Sequence, residues 1–354
     1  MTKTKLSKKP FVSICTPTFN RRPFFPYIIK CFENQKYPKD KMEWIIIDDG
    51  TDKIEDLVSH IPQVKYFKYD EKLTLGKKRN LAHDKAIGDI IISMDDDDYY
   101  PPSRVSHAVD MLRTNPRAMC AGSSEVNIYF KHIQQMYQFG PYGPNHSTAA
   151  TFAFRRELLK ECRFEDNASV AEERYFLKDY TIPFVQLDTL KTILVFSHDH
   201  NSFDKKNLLE SPNQFMHISN KNVDDFVKEP DLKQFFMYDI DELLKNYQPG
   251  KPENKPDVLK QLDEIKQHRE EMIADQQKKQ LEYQDTINKI NQMYGNQDNQ
   301  TLTNYENRMN QMSTIIQELT MENKLLTDKV KYLEDKIKQI IKDQIEKSKL
   351  NKQI

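Results

Sequence analysis

Cysteine is scarce and scattered in this chain. Its four residues, Cys15, Cys31, Cys120 and Cys162, show no CxxC spacing, which argues against a zinc site or a disulfide framework and fits a reducing compartment. Glycine is rare, at 8 positions. A charge excess is missing too: 53 basic residues face 54 acidic ones, for a net charge of −1, whereas a nucleic-acid binder normally carries a basic surplus. No apolar run approaches the ~18 residues of a membrane span. The charged start MTKTKLSKKP has no apolar stretch behind it, so no signal peptide is legible. The expectation is a soluble, cytoplasmic protein without a nucleic-acid partner.

What is present is an ordered alternation. Residues 11–15, 44–47, 64–67 and 90–94 form mainly apolar runs rather than alternating ones, the pattern of strands buried on both faces. Amphipathic stretches at 26–35, 76–86 and 103–114 lie between or after them, which predicts a mostly parallel α/β sheet with helices on both faces. This α/β domain is expected over residues 10–247. Residues 248–257 contain three prolines and a glycine and read as a linker. Beyond it Lys, Glu, Gln and Asn dominate, with a helical segment expected over 258–294.

Three of the four runs end in a polar cluster: Thr16-Pro17-Thr18-Phe19-Asn20 after the first, Asp48-Asp49-Gly50 after the second, Asp95-Asp96-Asp97-Asp98 after the fourth. Open α/β sheets bind ligands at the carboxyl ends of their strands, so this sheet presents a carboxylate-rich rim. An acidic run is usually a solvated loop, but this one is pinned between a buried strand and Tyr99-Tyr100-Pro101-Pro102. Hard oxygen donors select Mg²⁺ or Mn²⁺. Alternate residues of extended chain point the same way, pairing Asp95 with Asp97 and Asp96 with Asp98. The EF-hand and Walker A spacings are both absent. Lys77 and Lys78 read as a solvated helix face.

The ordered set VSICTPTFNR, IIIDDGTD and LGKKRNLAHDKAIGDIIISMDDDDYYPP resembles the nucleotide-sugar half of family-2 glycosyltransferases, over roughly residues 10–200. The resemblance implies a GT-A fold and transfer from a UDP-sugar, a UDP-hexose above all, to a glycan or glycoprotein acceptor. It implies that Thr16 and Asp49 (or Asp48) hold the base and ribose, with Pro17, Asn20, Arg79, Asp95 and Asp96 also on the nucleotide-sugar side. Asp95 and Asp97 fill the D-x-D, Asp97 being the metal ligand of first choice, and Asp98 stands beside the acceptor or the sugar hydroxyls.

Inverting transfer needs a carboxylate to take the acceptor's proton. The segment Ser169-Val-Ala-Glu-Glu-Arg resembles the family's acidic motif at a helix start. Ser169 and Glu172 fit an S-x-x-E capping box, which leaves Glu173 to face the acceptor as base, ahead of Glu172. A histidine after the last core strand completes the metal site in many GT-A enzymes, which implies His198, with His200 as second choice. Residues 137–147, rich in aromatics with Gly and Pro, read equally as a donor- or sugar-covering loop and as plain surface.

From Leu302 a heptad runs to 347, with Ile316, Val330 and Ile337 at a, Leu319, Leu326 and Leu333 at d, and Asn323 at an a position. That pattern predicts a parallel two-stranded coiled coil and a homodimer. A degenerate transferase domain serving as a sugar-nucleotide-binding scaffold is the alternative function. The intact Asp95, Asp97, Glu173 and His198 speak against it.

Overall fold

The computed structural model describes residues 9–170, 173–210, 213–293 and 307–312. The chain divides into two compact units, residues 1–269 and 270–354. In the first, the strands are β1 (Val12–Thr18), β2 (Met42–Asp48), β3 (Val64–Lys68), β4 (Ile90–Ser93), β5 (Cys120–Gly122), β6 (Val126–Phe130), β7 (Gln135–Phe139), β8 (Ala153–Arg155), β9 (Phe184–Gln186), β10 (Val195–Ser197) and β11 (Met216–Ile218).

Seven of them form one sheet in the order β3-β2-β1-β4-β8-β5-β9. β1, β2, β3 and β4 run parallel, as expected from the alternating pattern. β8 enters antiparallel to both β4 and β5, so the sheet is mixed. A second sheet, β10-β6-β7-β11, stands beside it.

Side-chain alternation explains the layering. Val12, Ile14, Trp44, Ile46, Ile90 and Ile92 face one buried cluster with Phe25, Ile28 and Phe32 of the helix Phe25–Glu33. Cys15, Ile45, Ile47 and Ile91 face another with Ala82 of the helix Leu75–Lys85 and the rings of Phe154, Phe164 and Phe176. Each fully buried aliphatic or Phe side chain contributes about 1.5–3 kcal/mol, so both faces hold the sheet. β3 departs from the sequence reading: it is an edge strand with Lys65 and Lys68 exposed, charged side chains of the sort that guard an unpaired edge.

The chain visits β1, β2 and β3 outward, then returns to place β4 on the other side of β1. The order reverses between β1 and β4, and a crevice opens at their carboxyl ends.

Residues 248–257, expected as a linker, pack into the first unit. Asn20 Nδ2 donates to the Pro249 carbonyl at 2.9 Å, Arg21 Nη1 to the Gly250 carbonyl at 3.3 Å, and Tyr247 Oη to Asp52 at 2.9 Å. A helix then runs Pro256–Met293. Within the second unit its side chains through 289 are almost all exposed, and residues 307–312 are helical. The remainder of the expected 302–347 coiled coil lies outside the described residues. No helix among the described residues is long and apolar enough to cross a membrane.

Candidate functional site

The first rim segment follows β1. Asn20 takes a left-handed backbone (φ 51°), which turns the chain sharply and aims Arg21 back under the rim. Its Oδ1 accepts from the Asp52 amide at 2.9 Å and from Thr51 Oγ1 at 3.2 Å. A Cβ on Gly50 would lie 2.6 Å from the Asn20 amide nitrogen, so glycine is what lets the first two rim segments touch. Asn20 therefore shapes the rim from beneath.

Thr16 and Asp48 also act within the fold. Thr16 is fully buried, its hydroxyl donating to the Met94 carbonyl at 2.6 Å and accepting from Trp44 Nε1 at 2.8 Å. Asp48 accepts from the Gly50 and Ile54 amides (2.8 and 3.1 Å) and from Tyr66 Oη (2.6 Å). Both side chains spend these hydrogen bonds within the fold, Thr16 on Met94 and Trp44, and Asp48 on its own turn and on Tyr66.

Asp49 and Lys78 form a buried ion pair at 2.8 Å, and Asp49 also accepts from the Leu73 amide at 2.6 Å. Lys78 is thus an interior cation of the site, contrary to its reading as solvated. Lys77 does face solvent, pairing with Asp166 at 3.0 Å. The helix stagger separates these neighbours: side chains at successive helical positions do not share a face.

The tetrad after β4 alternates as expected, with Asp96 and Asp98 buried and Asp95 and Asp97 half-buried. Arg79 grips Asp95 with both ends of its guanidinium, at 3.0 and 3.1 Å, a fork that fixes orientation as well as charge. Arg21 Nη2 lies 3.2 Å from Asp97 Oδ2, and its Nε 3.6 Å from Asp96 Oδ1. Asp97 also meets His198, Oδ2 to Nε2 at 3.4 Å. Asn201 brackets that imidazole: its Oδ1 accepts from the His198 amide at 2.9 Å, and its Nδ2 stands 2.8 Å from Nε2. His200 points elsewhere, its ring stacked on Tyr247 at 6.2 Å. Of the two histidines, His198 is the one brought to the tetrad.

Burial pushes the Asp96 carboxyl up to about 6 against the pull of Arg21. Burial, then repulsion from Asp97, drives Asp98 well above the carboxylate range, and its Oδ1 is buried without a hydrogen-bond partner. Burial opposes ionisation of Asp97 as well, but the His198 hydrogen bond and Arg21 overcome it and hold Asp97 well below the usual range. Burial lowers His198 to about 3, so its ring is neutral and able to act as a ligand.

Pro17, Arg21, Lys72, Lys78, the carboxylates Asp95, Asp96 and Asp97, Lys255 and Asp257 line one cavity of about 130 Å³. Small-molecule sites run to roughly 300–1,000 Å³, so a nucleotide sugar seats there only with a wall displaced. Carboxylate oxygens and the imidazole beside Asp97 are ligand types that Mn²⁺ or Mg²⁺ takes. With Arg21 and Arg79 engaging the acids, no three His, Cys, Asp or Glu side chains stand together as a ready ligand set among the described residues.

Glu172 lies outside the described residues. Ser169 does not cap in the expected way: its hydroxyl donates to Asp257 at 2.6 Å and its amide to Gln261 at 2.8 Å. Glu173 opens the helix Glu173–Phe176 and, after burial, is the leading influence raising the Tyr180 hydroxyl. Tyr180 packs on His146 (5.0 Å), and His146 on Tyr142 (4.8 Å).

That aromatic group borders a second cavity of about 630 Å³, lined by Ser123, Glu125, Tyr142, Gln186, Asp188 and Lys221 among others. Ile92, Ala153 and Ala121 are register partners across β4, β8 and β5. Ser123 and Asp95 therefore emerge at the same rim, two strand spacings or about 10 Å apart.

Sequence reasoning missed Arg21, Lys78, Lys255 and Asp257. Arg21 had a signal, standing beside Asn20 just past a strand end. Lys255 and Asp257 had none, because nothing local says where a Pro- and Gly-rich segment packs.

Residues 13–169 match the sequence model of Glycosyl transferase family 2. An uncharacterized glycosyltransferase of Haemophilus influenzae is 26% identical over 207 residues, 55% of this chain and 78% of that protein. The Escherichia coli protein WcaA, named for glycosyl transfer in colanic acid biosynthesis, is 26% identical over 264 residues, 66% of this chain and 90% of its own. A mannosyltransferase of Pyrobaculum calidifontis, solved with GDP-Man and Mn²⁺, superposes with a TM-score of 0.45 at 15% identity, covering 65% of this chain and 70% of its own.

Proposed function

With residues 13–169 forming a domain of glycosyl transferase family 2, we propose that this protein is a metal-assisted, inverting glycosyltransferase. It moves a hexose from a UDP-sugar to a hydroxyl of a glycan or protein. The observation that carries the reading is the meeting of Asp97 and His198 at 3.4 Å, on the rim where the sheet order reverses. Asp97 and His198, with Asp95 or Asp98 beside them, would hold the divalent cation, which when bound stabilises the charge on the departing diphosphate. Arg21 and Lys78 add positive charge on the same side.

The donor lies in the cavity lined by Asp95, Asp96 and Asp97. The acceptor lies in the larger cavity about 10 Å along the rim. Glu173, at the start of the helix Glu173–Phe176, takes the proton of the incoming hydroxyl. The acceptor oxygen bonds to the sugar's anomeric carbon, the bond to the diphosphate breaks, and its electron pair leaves with the nucleoside diphosphate. On their heptads alone, residues 302–347 are read as pairing two copies.

The test is nucleotide release from a panel of UDP- and GDP-sugars with Mn²⁺, then with EDTA, using the wild type and Asp97→Ala. Metal-dependent release from one donor, lost in the variant, is the expected result. No release and no Mn²⁺-dependent nucleotide binding would overturn the reading.

A further inference from the structure

Four cationic side chains line the donor cavity: Arg21, Lys72, Lys78 and Lys255. Three have a carboxylate partner. Lys72 pairs with Asp257 at 2.6 Å, Lys78 with Asp49 at 2.8 Å, and Arg21 with Asp97 at 3.2 Å. Lys255 is different. It is 4% exposed, and its ammonium reaches only neutral acceptors, the His200 carbonyl at 3.3 Å and Ser202 Oγ at 2.9 Å. Among the described residues no carboxylate lies within ion-pair distance of it.

A buried ammonium without a counter-anion is costly. Burial, then the Arg21 guanidinium, hold its pKa well below the ordinary value, with Asp97 and Asp96 pulling the other way. Yet the fold takes trouble to bring it there. The Gly250 carbonyl is held by Arg21 and the Pro249 carbonyl by Asn20. A Cβ on Gly250 would lie 2.6 Å from the Asn20 carbonyl oxygen. On the other side of Lys255, Asp257 ties the first turn of the helix Pro256–Met293 to Lys72 and Ser169. The segment is clamped on both flanks of the lysine. The anion missing from this arrangement is one that enters the cavity.

We propose that Lys255 binds the diphosphate of the nucleotide donor, and that residues 248–261 form the wall closing the donor site. This rests on the donor reading above, and it extends the site beyond residues 13–169 into the start of the helical tail. The tail is then no removable appendage: its first turn belongs to the donor pocket.

The experiment is calorimetric titration of the full chain with UDP and GDP in the presence of Mn²⁺, and with uridine and guanosine, for wild type, Lys255→Met and Lys255→Arg. A charge-assisted contact predicts that Lys255→Met weakens the nucleoside diphosphate about 10- to 100-fold. It leaves nucleoside binding unchanged, and Lys255→Arg restores most of the loss. The ligand-free melting temperature of Lys255→Met should be unchanged or higher, since the variant removes an uncompensated buried charge. If the wild type binds UDP or GDP and Lys255→Met binds it equally well, the assignment is overturned while the donor reading stands. A lower ligand-free melting temperature with equal losses for nucleoside and diphosphate also overturns it, in favour of a structural role. A wild type that binds neither diphosphate overturns the donor reading and this assignment together.

Discussion

The Nε2 of His198 lies 3.4 Å from Oδ2 of Asp97, so the chain leaving β10 meets the chain leaving β4 across the rim. Asn201 Nδ2 stands 2.8 Å from the same ring nitrogen, and its Oδ1 accepts from the His198 amide. Asp97→Asn keeps the shape and removes the charge. It should lower Mn²⁺-dependent turnover by at least about 10²-fold, since a metal contributes several kcal/mol to such a transition state. His198→Ala should raise the Mn²⁺ concentration needed for nucleotide binding, read by calorimetry. Unchanged Mn²⁺ dependence in both variants would remove them from the metal site.

Asp49 and Lys78 are a different sort of pair, because both are nearly inaccessible, with side-chain exposures of 0% and 7%. Breaking such a pair leaves an uncompensated charge, at a cost of about 3–5 kcal/mol. Asp49→Ala should therefore shift the urea unfolding midpoint sharply, far more than Asp166→Ala, whose Lys77 partner is solvated. Equal shifts for the two would mean that Lys78 reaches water.

Gly76 stands where the helix Leu75–Lys85 meets the segment leading to Ser169. A Cβ there would run into the Glu165 carbonyl, and the Gly76 amide donates to the Ala168 carbonyl at 2.8 Å. Gly76→Ala should cost about 1–3 kcal/mol by overpacking. It should also weaken nucleotide binding, because Ser169 lines the donor cavity. A variant as stable as the wild type would show that the 165–169 segment can step aside.

His83 is buried among Phe154, Phe164 and Phe176. Burial, then Arg79, lowers it to about 3 from an ordinary 6.5. Between those values the unfolded chain binds the extra proton, so stability is full above pH 6.5 and falls as pH drops towards 3. His198 and His200 act in the same sense. His83→Leu should flatten part of that decline in unfolding curves taken from pH 7 to pH 4. An unaltered slope would mean that the ring protonates without unfolding.

Much of the frame was legible in the residues. The apolar runs ending at Cys15, Ile47 and Met94 became β1, β2 and β4, because a strand buried on both faces reads as a near-continuous apolar run. The polar clusters behind them had to share one edge once the strands were parallel, so the carboxylate rim followed from local pattern and one topological rule. The alternation of Asp95 with Asp97 against Asp96 with Asp98 followed likewise from extended backbone.

What no local pattern carries is which side chains from distant segments meet. The sequence places His198 and His200 at the same strand end, and only the turn held by Asn201 selects the one that reaches Asp97. Thr16 looked available for a ligand until Trp44 and Met94 took its hydrogen bonds. Lys77 and Lys78 look alike in sequence, yet the packing of one helix sends the first to water and the second to Asp49. Residues 248–257 have the composition of a linker, and composition reports only what a segment can do alone. Clamped between Asn20 and Lys72, that segment delivers Lys255 to the rim. Residue pattern alone carried the four parallel strands, their rim and its acids. The tertiary structure decided the partners, because ion pairs and hydrogen bonds depend on distance in space, which strand order and turns set and spacing along the chain does not.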